Sequence, residues 1–111
     1  EHWMWFDLPN IFADRPLRAE EYQRIRLSHD TDWEARYGIY LDDGWYYVYR
    51  SEILLNRFLI EQATENTYRI SRVQYCRNHP QGKTYQALVE ALREDGLDMS
   101  DCSLINDSHL A

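Results

Sequence analysis

The sequence predicts a single α+β domain, residues 1–111, with an antiparallel sheet of three to four strands in which the hairpin 37–50 is central. An N-terminal helix and a C-terminal helix near 84–95 complete the predicted fold. Three observations support it: residues 37–50 have the pattern of a hairpin, residues 57–61 alternate apolar and polar side chains, and residues 84–95 carry an apolar stripe at helical spacing. A chain of 111 residues, 44% of them hydrophobic, suits one domain with one core.

The first predicted element is a helix that follows residue 16. Glu20 and Glu21 fall in its first turn, where carboxylates interact favourably with the helix dipole. Leu17 and Tyr22 have the spacing of a hydrophobic staple, and Ile25 continues the predicted buried stripe. The preceding residues 3–12 are apolar without a period, so no element is predicted there.

The hairpin has the clearest local signal in the chain. Asp43-Gly44 is a favoured pair for a two-residue turn, because both central residues must adopt positive φ. That turn sets the predicted register, with Asp42 opposite Trp45, Leu41 opposite Tyr46, Tyr40 opposite Tyr47 and Ile39 opposite Val48. Side chains alternate between the two faces of a strand. One predicted face is therefore core-like and contains Ile39, Leu41, Tyr46 and Val48, and the other contains Tyr40, Asp42, Trp45, Tyr47 and Tyr49.

Two interpretations of the aromatic side of the hairpin follow. Sheets in α+β domains usually bury a face under helices, which favours a covering helix such as 84–95. The other interpretation is a protein interface, since tyrosine and tryptophan are enriched at binding hot spots. The residues predicted to contact a partner in that case are Tyr40, Trp45, Tyr47 and Tyr49.

The remaining elements are two strands and a helix. Strands are predicted around 56–62 and 67–76, with a helix over 51–63 as the alternative for the first of them. For the C-terminal helix, Thr84 is the predicted cap, and the apolar stripe is formed by Tyr85, Leu88, Val89 and Leu92. Gly96 is the predicted C′ residue, with Leu97 closing a Schellman motif.

The net charge of −7 is distributed unevenly. Residues 1–44 and 84–111 each have a net charge of −5, whereas residues 45–83 have a net charge of +3. Acidic flanks disfavour nucleic acid as a partner, because nucleic-acid binding requires a basic surface. They favour a basic protein partner, and the predicted contact carboxylates are Asp30, Asp32, Asp42 and Asp43.

Four arginines in the basic middle of the chain, Arg57, Arg69, Arg72 and Arg77, are interleaved with Tyr68 and Tyr75. Arginine beside aromatic rings can bind a carboxylate or a phosphate, which predicts an anion site at Arg69 and Arg72. The favoured interpretation is instead cross-strand pairing of these arginines with Glu61 and Glu65 on a solvated face.

No sequence motif for catalysis, a cofactor or a metal is complete. Gly82-Lys83-Thr84 lacks the glycine that a phosphate-binding loop requires five residues earlier, where Arg77 stands. Cys76 and His79 have ligand spacing, but Cys102 and His109 are too far apart to be a typical second pair for zinc. His29 lies near Asp30 and Asp32 in sequence, which alone does not establish a catalytic pair. We therefore predict no catalytic residue, no cofactor and no metal.

The compartment is left open by the sequence. No stretch reaches the roughly 20 apolar residues that a membrane span requires, so no membrane partner is predicted. Two cysteines are too few for a disulfide scaffold. The cytoplasm is the default expectation, and a secreted or periplasmic mature chain is the alternative.

These patterns together favour a binding protein over an enzyme. The functional hypothesis is a small acidic protein-binding domain, of the type of an inhibitor or immunity protein that neutralises a basic partner. The alternative is a small ligand-binding domain or enzyme with an anion-binding pocket near Arg69 and Arg72, to which His29 would contribute.

Overall fold

The computed structural model describes residues 4–28, 37–50 and 53–99. Within these residues the elements are β1 (Trp5–Leu8), β2 (Leu17–Arg18), α1 (Ala19–Arg26), β3 (Gly38–Asp42), β4 (Trp45–Arg50), β5 (Ile53–Gln62), β6 (Thr67–Cys76) and α2 (Gln86–Glu94). A 3₁₀ turn, Pro80–Thr84, precedes α2. The predicted α+β class with an antiparallel sheet is confirmed, but the sheet has six strands rather than three to four.

The strands are ordered β1-β6-β5-β4-β3, with β2 paired to the other end of β6. The hairpin of β3 and β4 therefore lies at one edge of the sheet, and the prediction that it is central is wrong. The central strands are β5 and β6, which are ten residues long. The length of β6 allows it to pair with β5 along one side and with both β1 and β2 along the other.

The register predicted for the hairpin is confirmed at all four pairs, from Asp42 opposite Trp45 to Ile39 opposite Val48. Asp43 and Gly44 have φ angles of 51° and 86°, as the favoured two-residue turn requires. The helical alternative for residues 51–63 is wrong where it can be compared, because Ile53–Gln62 forms β5. Residues 51 and 52 lie outside the described part of the chain.

The core lies between one face of the sheet and both helices. Ile39, Val48 and Phe58 are fully buried on that face. Ile25 of α1 and Leu88 of α2 belong to the same buried cluster. Because side chains alternate along a strand, residues next to these core residues in sequence, such as Tyr40 and Tyr47, project from the opposite face.

The start of α1 is held by a buried carboxylate. Glu21 is 3% exposed and accepts hydrogen bonds from the Arg18 backbone N–H at 3.0 Å and from Arg15 Nη2 at 3.1 Å. Burial disfavours the ionised form of Glu21, but the bonds from Arg15 and Arg18 outweigh that cost and leave the pKa of Glu21 below its usual value. The helix predicted after residue 16 is thus present, and it begins at Ala19.

The C-terminal helix begins at Gln86, two residues after the predicted cap. Tyr85 has φ 64°, so the chain turns sharply between the 3₁₀ turn and α2. The Tyr85 hydroxyl donates to the Pro9 carbonyl at 2.7 Å. Thr84 still performs part of the capping role, since its Oγ1 accepts from the Gln86 N–H at 3.3 Å.

The C-terminal end of α2 closes as predicted. Gly96 has φ 91°, and its N–H donates to the Arg93 carbonyl at 2.9 Å. The Leu97 N–H donates to the Leu92 carbonyl at 3.1 Å, which completes the Schellman motif.

Asn56 joins the 3₁₀ turn to the sheet from within the core. This side chain is fully buried, and its Nδ2 donates to the carbonyls of Gln74 at 3.1 Å and Gly82 at 3.0 Å. A Cβ on Gly82 would lie 2.5 Å from the Leu55 carbonyl oxygen, so only glycine allows this close approach. These contacts hold the 3₁₀ turn that precedes α2 against β5.

Candidate interface on the aromatic face of the sheet

The face of the sheet opposite the helices, which we call the aromatic face, carries one continuous row of side chains across five strands. The pairing places Asp7 opposite Gln74, Gln74 opposite Arg57, Arg57 opposite Tyr47 and Tyr47 opposite Tyr40. Neighbouring members are in contact along the whole row. Gln74 Nε2 donates to Asp7 Oδ1 at 3.0 Å, Arg57 Nε donates to Gln74 Oε1 at 2.7 Å, and Arg57 Nη1 donates to the Tyr47 hydroxyl at 3.3 Å.

Arg57 lies at the centre of this row, between two tryptophans. Its guanidinium carbon is 3.9 Å from the ring centroid of Trp45 and 4.7 Å from that of Trp5. Trp5 pairs with Cys76, two residues beyond Gln74 on β6, and so lies on one side of the row. Trp45 lies on the other side of the row, two residues before Tyr47 on β4. Both indoles can therefore stabilise the cation through their ring faces. The hydrogen-bond acceptors of Arg57 in the described residues are neutral, so its charge is balanced by aromatic rings rather than by a directly bonded carboxylate.

The tyrosines of the hairpin continue the aromatic surface to the sheet edge. The Tyr40 and Tyr47 rings are stacked with centroids 5.2 Å apart, and Trp5 meets Tyr47 edge-to-face at 5.6 Å. Tyr49 contacts Tyr40 at 5.8 Å. Burial raises the pKa of Tyr40, and the nearby Tyr47 and Asp42 add to that rise, so this phenol remains neutral at physiological pH. The rings are half-buried and are held by one another.

Two ion pairs lie on the same face, and one of them includes Asp7 at the end of the row. Arg72 donates from Nε to Asp7 Oδ1 at 2.9 Å, and Arg69 donates from Nε to Glu61 Oε2 at 2.6 Å. The hydrogen bonds from Arg72, and then from Gln74, keep the pKa of Asp7 below its usual value. The favoured interpretation of cross-strand pairing with Glu61 thus describes Arg69, whereas Arg72 pairs with a residue of β1.

A β-bulge brings Arg69 and Arg72 to the same face, although their separation of three would ordinarily put them on opposite faces. Leu59 pairs with Arg72 and Ile60 pairs with Ile70, so one residue of β6 is inserted between these pairs. Both arginines project from the aromatic face. A cavity of about 270 Å³ beside Arg50, on the other side of the sheet, is lined by other residues.

The predicted contact carboxylates divide into two groups. Asp42 and Asp43 are exposed at the hairpin tip, next to Trp45, and have no ion-pair partner in the described part of the chain. Asp30 and Asp32, together with His29, lie outside the described residues.

The structure thus brings together Tyr40, Trp45, Tyr47 and Tyr49 as predicted, but it does not cover them with α2, which packs against the core face. The prediction that a helix such as 84–95 covers the aromatic side is wrong for this helix. Sequence reasoning missed Trp5, Asp7 and Gln74, and it grouped Arg57 with the other arginines rather than with the aromatic rings. Residues 5–8 contain a single polar residue, Asp7, so no alternation of apolar and polar residues identified this edge strand from the sequence.

Other kinds of site find little support in the described segments. No three His, Cys, Asp or Glu side chains converge there in a way that could hold a metal ion. Cys76 is buried, His79 follows it in a turn, and Cys102 and His109 lie outside the described residues. No helix in residues 4–28, 37–50 or 53–99 is long and apolar enough to cross a membrane.

Comparison with known proteins adds no relative: no protein-family model, curated protein or solved structure matches this chain.

Proposed function

We propose that this chain is a protein-binding domain that contacts its partner through the aromatic face. The observation that carries the proposal is the row from Asp7 to Tyr40, in which half-buried aromatic rings and Arg57 form one surface on the side of the sheet opposite both helices. Tryptophan, tyrosine and arginine are the residues most enriched at the centres of protein interfaces.

The order within this surface supports a binding role. Trp45 is held against Arg57, and Tyr47 is held by Tyr40 and Trp5, so the rings are arranged before a partner arrives. Association costs free energy when flexible side chains become immobilised. Side chains already fixed by their neighbours reduce that cost, which makes Trp45 and Tyr47 the expected anchors.

Charge supports a basic partner. Arg72 and Arg69 are paired with Asp7 and Glu61, so among the described residues the charges nearest to Trp45 that lack an ion-pair partner are Arg57 and the two carboxylates of the hairpin tip. Together with the net charge of −7, these carboxylates favour the approach of a positively charged protein. An inhibitor or immunity-type protein that neutralises a basic partner is the functional class that fits best.

The test uses affinity capture from lysate of the native host, followed by binding kinetics with the captured protein. Trp45→Ala should weaken binding about 30-fold or more, chiefly through faster dissociation, as expected for an interface hot spot. Replacing Asp42 and Asp43 together with asparagine should slow association at low salt, while asparagine still tolerates the positive φ of the turn.

Phe6→Ala is the matched control. Phe6 is an exposed aromatic residue of β1 that lies on the other side of the strand from Trp5 and Asp7. The Phe6→Ala substitution should leave the association and dissociation rates of the partner unchanged. Unaltered binding by folded Trp45→Ala, or an acidic captured partner, would contradict the proposal.

A further inference from the structure

A separate cavity lies on the helix side of the sheet, between the end of the hairpin and the first turn of α2. Its volume is about 270 Å³. Its described lining includes Tyr37, Arg50, Leu55, Gln81, Gln86 and Ala87. Ligand-binding pockets are typically roughly 300–1,000 Å³, so this cavity suits a small molecule.

The charge of the lining is positive. Among the described lining residues Arg50 is the only ionised side chain, although the chain contains 19 acidic residues. The Arg50 guanidinium carbon lies 5.7 Å from the centroid of the Tyr37 ring, and no carboxylate within the described segments pairs with it. An arginine that faces a cavity without an acidic partner offers several N–H donors to an anion.

The other walls supply both polar and apolar contacts. Gln81 and Gln86 carry amide groups that can donate further hydrogen bonds. Leu55 and Ala87 are buried members of the hydrophobic core and present apolar surface. A few polar groups set among apolar ones is the usual composition of a small-molecule site.

We propose that this cavity binds a small organic carboxylate. The carboxylate pairs with Arg50, with Gln81 or Gln86 as a second donor, and the apolar part of the molecule lies against Leu55 and Ala87. A single guanidinium matches the charge of a monoanion, whereas a phosphate dianion would bring a second charge that no described lining residue balances. The site is distinct from the predicted anion site at Arg69 and Arg72, since both of those arginines are ion-paired on the aromatic face.

The test is a titration of the full chain with acetate, hexanoate and benzoate at constant ionic strength. Binding is monitored by the chemical shifts of the backbone amides in NMR spectra. Hexanoate or benzoate should cause saturable shifts at Leu55, Gln86 and Ala87. Benzamide, the neutral counterpart of benzoate, should bind about tenfold more weakly or worse, because a charge-assisted hydrogen bond is lost.

Variants separate the role of Arg50 from general charge effects. Arg50→Gln should weaken carboxylate binding about tenfold or more, and because Arg50 is exposed the variant should fold normally. Arg69→Gln is the matched control and should bind like the unaltered chain. Ala87→Leu, which fills the cavity and keeps Arg50, should also weaken binding.

Three results would overturn the inference. They are the absence of saturable shifts with all three carboxylates, equal binding by folded Arg50→Gln, and saturation by inorganic phosphate with no response to the carboxylates. None of these results bears on the aromatic face, because the cavity shares no residue with it.

Discussion

Asp95 follows the last residue of α2, with its carboxyl group partly buried against Ser28. Ser28 Oγ donates to Asp95 Oδ1 at 2.8 Å, whereas Oδ2 is buried and has no hydrogen-bond partner in the described residues. Burial raises the pKa of Asp95 to about 6; the Ser28 hydrogen bond partly opposes this rise, and the Glu94 carboxylate adds to it. A negative charge at the C-terminal end of a helix is also unfavourable to the helix dipole.

These contacts predict that Asp95→Asn stabilises the fold near neutral pH. Asparagine has the shape of the protonated acid and keeps an oxygen for Ser28, but it carries no charge. The interval between the ordinary pKa of 3.8 and about 6 corresponds to at most about 3 kcal/mol, at about 1.4 kcal/mol per pH unit. Because the carboxyl group remains partly solvated, the expected gain is about 1–2 kcal/mol.

The sign of the pH dependence follows from the raised pKa. Below about pH 4 the carboxyl group is protonated in the folded and unfolded states alike, so the two proteins should differ little. As the pH rises from about 4 to about 6, the unaltered chain loses stability relative to the variant, because ionisation costs more in the folded state; above that range the difference is constant.

The assay is urea unfolding of both proteins, monitored by tryptophan fluorescence, in steps from acidic to neutral pH. Glu65→Gln, at the exposed turn between β5 and β6, controls for the general effect of removing one negative charge. A variant less stable than the unaltered chain at neutral pH, or one whose advantage is independent of pH, would refute the reasoning.

The remaining stability predictions use the same unfolding assay. Gly82→Ala should destabilise the fold by about 1–3 kcal/mol, because the added Cβ would lie 2.5 Å from the Leu55 carbonyl oxygen. The control, Gln81→Ala, should change the free energy of unfolding by less than about 0.5 kcal/mol. Equal effects of the two substitutions would show that the close approach is unimportant. Glu21→Gln should cost about 2 kcal/mol at neutral pH, because it removes the buried carboxylate that accepts from Arg15. Because the pKa of Glu21 is lowered in the folded state, this cost should shrink as the pH falls below about 4. The pH dependence is therefore opposite in sign to that of Asp95. A cost that does not change with pH would contradict the prediction.

The residues of the hairpin were predictable because their information is local. Asp43-Gly44 requires positive φ at both positions, and that turn sets the register and the face of every side chain from Ile39 to Val48. The same is true of the Schellman end of α2 at Gly96, where backbone conformation and one apolar contact decide the structure.

The candidate site could be predicted only in part. Tyr40, Trp45 and Tyr47 share a face by simple alternation, which the hairpin sequence contains. Trp5 and Arg57 join them through pairings with distant strands, and the contact of Arg57 with Trp5 joins residues 52 positions apart. No local pattern specifies such a contact, because it depends on the register of β1 against β6 and of β6 against β5.

By itself, the sequence determined the α+β class, the antiparallel hairpin with its register, and the end of α2 at Gly96. Only the tertiary structure decided that the hairpin lies at the sheet edge, that α2 packs on the face opposite the aromatic rings, and that Arg50 faces a cavity. The physical reason is the range of the interactions. Turn conformations and side-chain periodicity act over a few residues, whereas strand order and helix docking depend on burying distant apolar surfaces together.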